Sequence, residues 1–183
     1  FPWRDAPHSF AHPGLASSDG SIVFRSPAAA RFMHLVTNHV VQGRVIFPGA
    51  GYLEMARAAV GAALHGVYFV QPLAVEAAGL LVECAVSDGR FEVQSGEADA
   101  IEAARMVHCS GAAAGARDWQ RIEHAPLRAP SRAVDVGVLY NGFDGVGLQY
   151  GPGYRTLVQA WGGASDALAR LHARTTYDGT QVH

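Results

Sequence analysis

An apolar helix pattern followed by a succession of strand patterns predicts an α+β fold, with an antiparallel sheet wrapped around one central helix. Three observations predict it. Gly49–Leu64, GAGYLEMARAAVGAAL, repeats apolar residues at helical spacing and carries only Glu54 and Arg57 as charges. Strand-like runs follow, VYFVQPLAV, GLLVECAV, RFEVQS and ARMVHCSGAA. Between two of them Ser87-Asp88-Gly89 supplies a hairpin signal.

Residues 1–20 carry Pro2, Pro7, Pro13 and Gly20 and predict a loop-rich entry. SIVFRS, Ser21–Ser26, alternates as a short strand. PAAARFMHLV, Pro27–Val36, predicts a helix opened by Pro27 and capped by Ser26. HVVQGRVIF, His39–Phe47, is β-branched and predicts a strand with a bulge at Gly43. Pro48 stops it and the helix follows. A helix apolar nearly all round is buried nearly all round, which leaves Glu54 and Arg57 as its most accessible members. One buried helix and its strands make a hotdog architecture, although other α+β folds share the periodicity.

HAPLRAPSRAVD, residues 124–135, carries Pro126 and Pro130 without periodicity and reads as a linker. It separates an N-terminal hotdog, residues 1–123, from residues 136–183. That tail shows a helix-like piece (Val136–Phe143), a loop (GVGLQYGPGY) and the strand-like runs RTLVQAWGG and DALARLHARTTY. It is too short to fold alone, so it packs on the first unit or begins a second, incomplete one.

Composition excludes several classes. Of 183 residues 49% are hydrophobic and 16% charged, enough to bury a core and unlike a disordered tail. A net charge of −2 without a basic stripe gives no nucleic-acid footprint. The longest stretch without formal charge, Ala58–Val75, is interrupted by His65, Gly66, Gln71 and Pro72 and does not read as a membrane span. Cys84 and Cys109 form no CxxC pattern, so neither a disulfide framework nor a zinc site is expected. A reducing, cytoplasmic compartment is the expectation. The opening FPWRDAPHSF has no signal-peptide pattern, and the chain looks excised from a longer polypeptide.

Two motifs carry a resemblance. HVVQGRVIFP has the form HxxxGxxxxP, with His39, Gly43 and Pro48, and GLQYGP has the form GxxYGP, with Tyr150, Gly151 and Pro152. In this order, and with VVQGRVIFPGAGYLEMARAA around the first, the chain resembles the dehydratase domains of modular polyketide synthases and related fatty acid synthases. FPWR resembles the linker leaving the preceding acyltransferase, and HCSGAA the strand closing the first hotdog. The resemblance implies a double hotdog that dehydrates a 3-hydroxyacyl thioester on an acyl carrier protein to the 2,3-enoyl thioester. It implies a catalytic histidine from the first hotdog and an aspartate from the second, a few residues after an HP pair. It would make His183 the histidine of that pair and put the aspartate just beyond it. Asn38 departs from the aspartate that usually precedes the active-site histidine; it keeps the size and hydrogen-bonding capacity and loses the charge.

The chemistry suits these residues. Dehydration needs a base, an acid for the departing oxygen, and dipoles for an enolate-like oxygen. His39 is the candidate base, since a neutral imidazole serves near pH 7. A helix starting at Pro48-Gly49 aims backbone N–H groups outward, and Gly49 has no side chain to obstruct a carbonyl. Gly43 would let the strand bend. Tyr150 would position the acid or substrate, or else pack the Gly151-Pro152 turn. His34 and His39 have poor spacing for a helical metal pair, so no metal and no dissociable cofactor are expected. The substrate would arrive on the phosphopantetheine of an acyl carrier protein. Other synthase domains and a homodimer are the further expected partners. His108 reads as a packed residue, and Asp166 and Asp178 as surface carboxylates. The alternatives are double-bond migration, cyclisation onto an enoyl thioester, a non-catalytic scaffold, and a thioesterase acting through Glu54.

Overall fold

The computed structural model describes residues 12–16, 21–27, 36–75, 79–97, 104–115, 123 and 132–172. In chain order these contain strands β1 (His12–Ala16), β2 (Ile22–Pro27), β3 (His39–Val41) and β4 (Arg44–Val45), helix α1 (Gly49–Val60), and strands β5 (Ala63–Phe69), β6 (Leu80–Ser87), β7 (Arg90–Glu97) and β8 (Met106–Ala114). Strand β9 (Arg132–Val134), helix α2 (Val136–Gly145), β10 (Leu148–Tyr150), a 3-10 turn (Pro152–Tyr154), β11 (Leu157–Gly162) and β12 (Ala167–Leu171) follow. The described residues form two compact units. One holds those up to Thr37 and from Val45 to Gly115; the other holds Asn38–Arg44 and those from Glu123 onward. The β3 hairpin therefore groups with the C-terminal part of the chain, across the boundary its position in sequence suggests.

In the first unit an antiparallel six-stranded sheet runs β1-β2-β6-β7-β8-β5. Helix α1 packs on β5, β6 and β7. Alternation turns Val82 and Cys84 of β6 and Phe91 and Val93 of β7 inward, where they meet Met55 and Ala56. Met55 is fully buried, worth roughly 1.5–3 kcal/mol. This is the expected hotdog, a helix held in a sheet. The β6–β7 hairpin turns at Asp88 (φ 49°) and Gly89 (φ 72°), a two-residue left-handed turn that brings Ser87 opposite Arg90.

Several expectations are corrected. Helix α1 ends at Val60, not Leu64. Gly61 takes φ 70° and donates its N–H to the Arg57 carbonyl at 2.9 Å, closing the helix, and Ala63 and Leu64 open β5. VYFVQPLAV is a strand only to Phe69. Glu54, expected to be accessible, is 6% exposed. Arg57 folds back over it at 3.2–3.3 Å and is the exposed partner. Leu53 is more exposed than Glu54, since the sheet covers the Tyr52, Met55 and Ala56 face. Ser26 and Pro27 end β2 opposite Val82 and Leu81, and Val36, where the expected helix ends, is helical. Residues 28–35 lie outside the described residues.

His108 is the extra residue of a β-bulge, because Val93 pairs Cys109 while Gln94 pairs Val107. The bulge turns its ring into the core. Nδ1 lies 3.2 Å from the Gln71 carbonyl and Nε2 2.7 Å from Ser95 Oγ, and the ring stacks on Tyr52 at 6.1 Å. These partners fit a neutral imidazole that donates from Nδ1 and accepts the Ser95 hydroxyl at Nε2. Burial lowers its pKa, against bonds to the Gln71 and Pro72 backbone that raise it. Cys84 and Cys109 are buried thiols without a disulfide, and burial pushes them up to about 12 and about 11. On the opposite face of β6, buried Glu83 is neutralised by Arg25 and Arg105.

The second unit contains two small sheets, β10-β3-β4 and β12-β11-β9. Gly43 is not a bulge. Gln42 (φ 49°) and Gly43 (φ 76°) form a tight turn between β3 and β4. The segment read as a linker ends in strand β9, which pairs β11. Asp135 caps α2 by accepting the Val138 N–H at 3.1 Å. GVGLQYGPGY, expected as a loop, contains β10 and the 3-10 turn.

Candidate active site

His39 opens β3, and Tyr150 closes β10 directly opposite it in the antiparallel register. The two motifs, distant in sequence, are thus one strand pair. The half-buried His39 ring lies 5.4 Å from the Tyr150 ring and 5.2 Å from the Tyr154 ring, centroid to centroid. The two tyrosines are 6.2 Å apart, and Phe143 packs its edge on Tyr150 at 6.1 Å. Aromatic walls on two sides restrict how the imidazole can turn.

The glycines of both motifs have separate physical reasons. Gly43 holds the turn conformation and donates its N–H to Gln149 Oε1 at 2.7 Å, while the Gln42 N–H reaches the Gly147 carbonyl at 2.7 Å. These bonds lock the β3–β4 turn to β10. Gly151 has an ordinary φ of −72° and is required by close approach. Its N–H donates to the Asn38 carbonyl at 2.8 Å, and a Cβ there would lie 2.1 Å from Asn38 Oδ1. Pro152 then starts the 3-10 turn that delivers Tyr154.

Pro48 and Gly49 belong to the first unit. Pro48 is buried and extended (φ −72°, ψ 144°) and forms the N-cap of α1 without a side-chain hydrogen bond. No acidic residue stands in the first turn. Gly49 is exposed, with the Phe69 ring 3.4 Å from where its Cβ would be. The start of α1 therefore presents positive dipole without a local carboxylate to neutralise it. Gly51, by contrast, is packed under Phe47, 2.7 Å from its absent Cβ.

The structure brings together His39, Gly43, Tyr150, Gly151 and Pro152 in one unit. Asp166 is exposed and accepts from Ser165. His34, Asp178 and His183 lie outside the described residues. Two contributors were missed in the sequence. Tyr154 could have been found from its place four residues after Tyr150 across a Pro-Gly pair. Asn38 shows its size, hydrogen-bonding capacity and lost charge in the sequence, but nothing local announces which carbonyl and side-chain contacts it makes.

Residues 8–99 match the family model described as the polyketide synthase dehydratase domain. The chain belongs to that family. It is 33% identical over 161 residues, 78% of its length, to polyketide synthase ThaG of Burkholderia thailandensis, and 29% identical over 183 residues, 90% of its length, to erythronolide synthase EryA2 of Saccharopolyspora erythraea. It spans 3% and 5% of those proteins. Among solved structures it superposes on a trans-AT polyketide synthase dehydratase domain from Brevibacillus brevis with a TM-score of 0.76 at 23% identity, covering 90% of this chain and 65% of that one. The dehydratase domain from the CurF module of the curacin polyketide synthase gives 0.74 at 22%, covering 91% and 66%. The fold of this dehydratase-family chain is accordingly the hotdog of those domains. Its relatives are components of multidomain synthases. Among the described residues no three His, Cys, Asp or Glu side chains are grouped to hold a metal, and no helix is long and apolar enough to cross a membrane.

Proposed function

We propose that this polyketide synthase dehydratase domain removes water from a 3-hydroxyacyl thioester carried on an acyl carrier protein. The observation that supports the reading best is the pairing of His39 with Tyr150, which puts the histidine of one family motif on the tyrosine of the other. His39 takes the C2 proton. The electron pair of the C2–H bond moves toward the carbonyl, where the Gly49 N–H and the dipole of α1 steady the developing oxyanion. The C2–C3 double bond forms as hydroxide leaves C3, protonated to water by a general acid. The reaction as proposed needs no metal and no dissociable cofactor, since the base, the dipole and the acid account for every proton. The carrier protein and neighbouring synthase domains are the proposed partners. The domain acts in a cytoplasmic setting under this reading, and a homodimer is its proposed assembly.

The test is a carrier-bound 3-hydroxyacyl substrate followed by mass spectrometry and enoyl absorbance. Loss of one water with a new 2,3-enoyl absorbance supports the reading. Unchanged mass with a shifted double bond, or a cyclic product, would replace it with isomerisation or cyclisation.

A further inference from the structure

We propose that Asn38 is a positioning residue that clasps the Tyr150–Tyr154 turn and thereby sets the orientation of His39. The proposal rests on the reading of His39 as the base. Asn38 touches the turn at three places. Its carbonyl accepts the Gly151 N–H at 2.8 Å, its Oδ1 faces the Gly153 N–H at 3.4 Å, and the same Oδ1 occupies the space a Cβ on Gly151 would need. Backbone and side chain of one residue therefore hold both ends of the Gly151-Pro152-Gly153 bend. The two rings that wall His39 stand at either end of that bend. His39 follows Asn38 directly, so base and clasp share one backbone.

Only acceptor oxygens are used in these contacts. A carboxylate at position 38 offers an oxygen in the same place, whereas leucine has the volume without the acceptor. That difference makes the proposal testable. In the full chain, the His39 ring C–H resonances, assigned by their loss in His39→Gln, should show ring-current shifts from Tyr150 and Tyr154. Asn38→Leu and Asn38→Ala should move them toward the position of an exposed histidine, and Asn38→Asp should leave them in place.

In the same samples, deuterium uptake from D2O at C2 of a 3-hydroxyacyl pantetheine thioester requires the base but not the acid. Displacing the base should slow it by roughly 10-fold at saturating thioester, with less than about twofold change in KM, for leucine and alanine but not for aspartate. Should alanine and leucine fail to fold, Asn38→Ser, which keeps a short acceptor, must give an intermediate displacement. Unmoved His39 resonances in Asn38→Ala, or aspartate behaving like alanine, would overturn the proposal. Undiminished exchange in His39→Gln would instead remove the base assignment, with the resonance shifts still judging the clasp.

Discussion

Gly49 and Gly51 stand two residues apart in the first turn of α1, yet alanine should act on them in opposite ways. At Gly49 the new Cβ would meet the Phe69 ring at 3.4 and 3.5 Å, ordinary contact with a side chain that is more than half exposed and able to move. Alanine is also the better helix residue, by up to ~1 kcal/mol in a helix interior and less at its first position. Gly49→Ala should therefore leave stability within about 1 kcal/mol of the parent. Its methyl group would stand beside the N–H proposed to hold the thioester oxygen. Complete loss of one such donor typically costs about 2.7–4 kcal/mol, and partial obstruction should cost at least ~1.4 kcal/mol, a tenfold fall in rate. At Gly51 the Cβ would lie 2.7 and 2.8 Å from Phe47, a ring 2% exposed and fixed in the core. Gly51→Ala should cost roughly 1–3 kcal/mol of stability by overpacking, with activity per folded molecule retained. Urea midpoints and C2 deuterium uptake, measured on both variants, separate the effects. Full exchange activity in Gly49→Ala would refute the donor assignment, and equal destabilisation by both would refute the packing argument.

Two further outcomes are expected. The pKa of His108 is lowered by burial, so the unfolded chain binds its proton first as the pH falls. The stability associated with its neutral form is complete above its ordinary value of 6.5 and is lost below it, by up to about 1.4 kcal/mol per pH unit. Urea midpoints from pH 7.5 to 5 should fall more steeply for the parent than for His108→Gln, and parallel curves would contradict this. Extending the chain through the residues after His183 should raise dehydration by roughly 10²–10⁴-fold if a general acid lies there, while C2 exchange rises far less. Equal dehydration by the two chains would point to a carboxylate within residues 1–183, Asp166 first.

The helix and the hotdog sheet were legible because apolar spacing reports burial directly. Val82, Cys84, Phe91 and Val93 alternate as a half-buried sheet must, and Asp88-Gly89 announces its turn. The end of α1 was not legible, since Ala58, Ala59, Ala62 and Ala63 around Gly61 suit a helix and the left-handed φ of Gly61 shows the stop. The charge of Glu54 suggests exposure, but Arg57, three residues on, makes its burial tolerable. Gly43 could be a bulge or a turn by composition, and only the strand register decides. His39, Tyr150, Gly151 and Pro152 were found through the order of two motifs. The contacts of Tyr154 and Asn38 depend on a long-range strand pairing that no local pattern encodes.

The proposed base is His39. The most direct measurement is the rate at which C2 of a carrier-bound 3-hydroxyacyl thioester takes up deuterium from D2O with the parent chain and with His39→Ala, each checked for an unchanged urea midpoint. Uptake with the parent, and loss of at least 10²-fold in a folded His39→Ala variant, is the predicted result. Uptake in His39→Ala within about twofold of the parent would show that another group removes the proton, and the account of this site would fall.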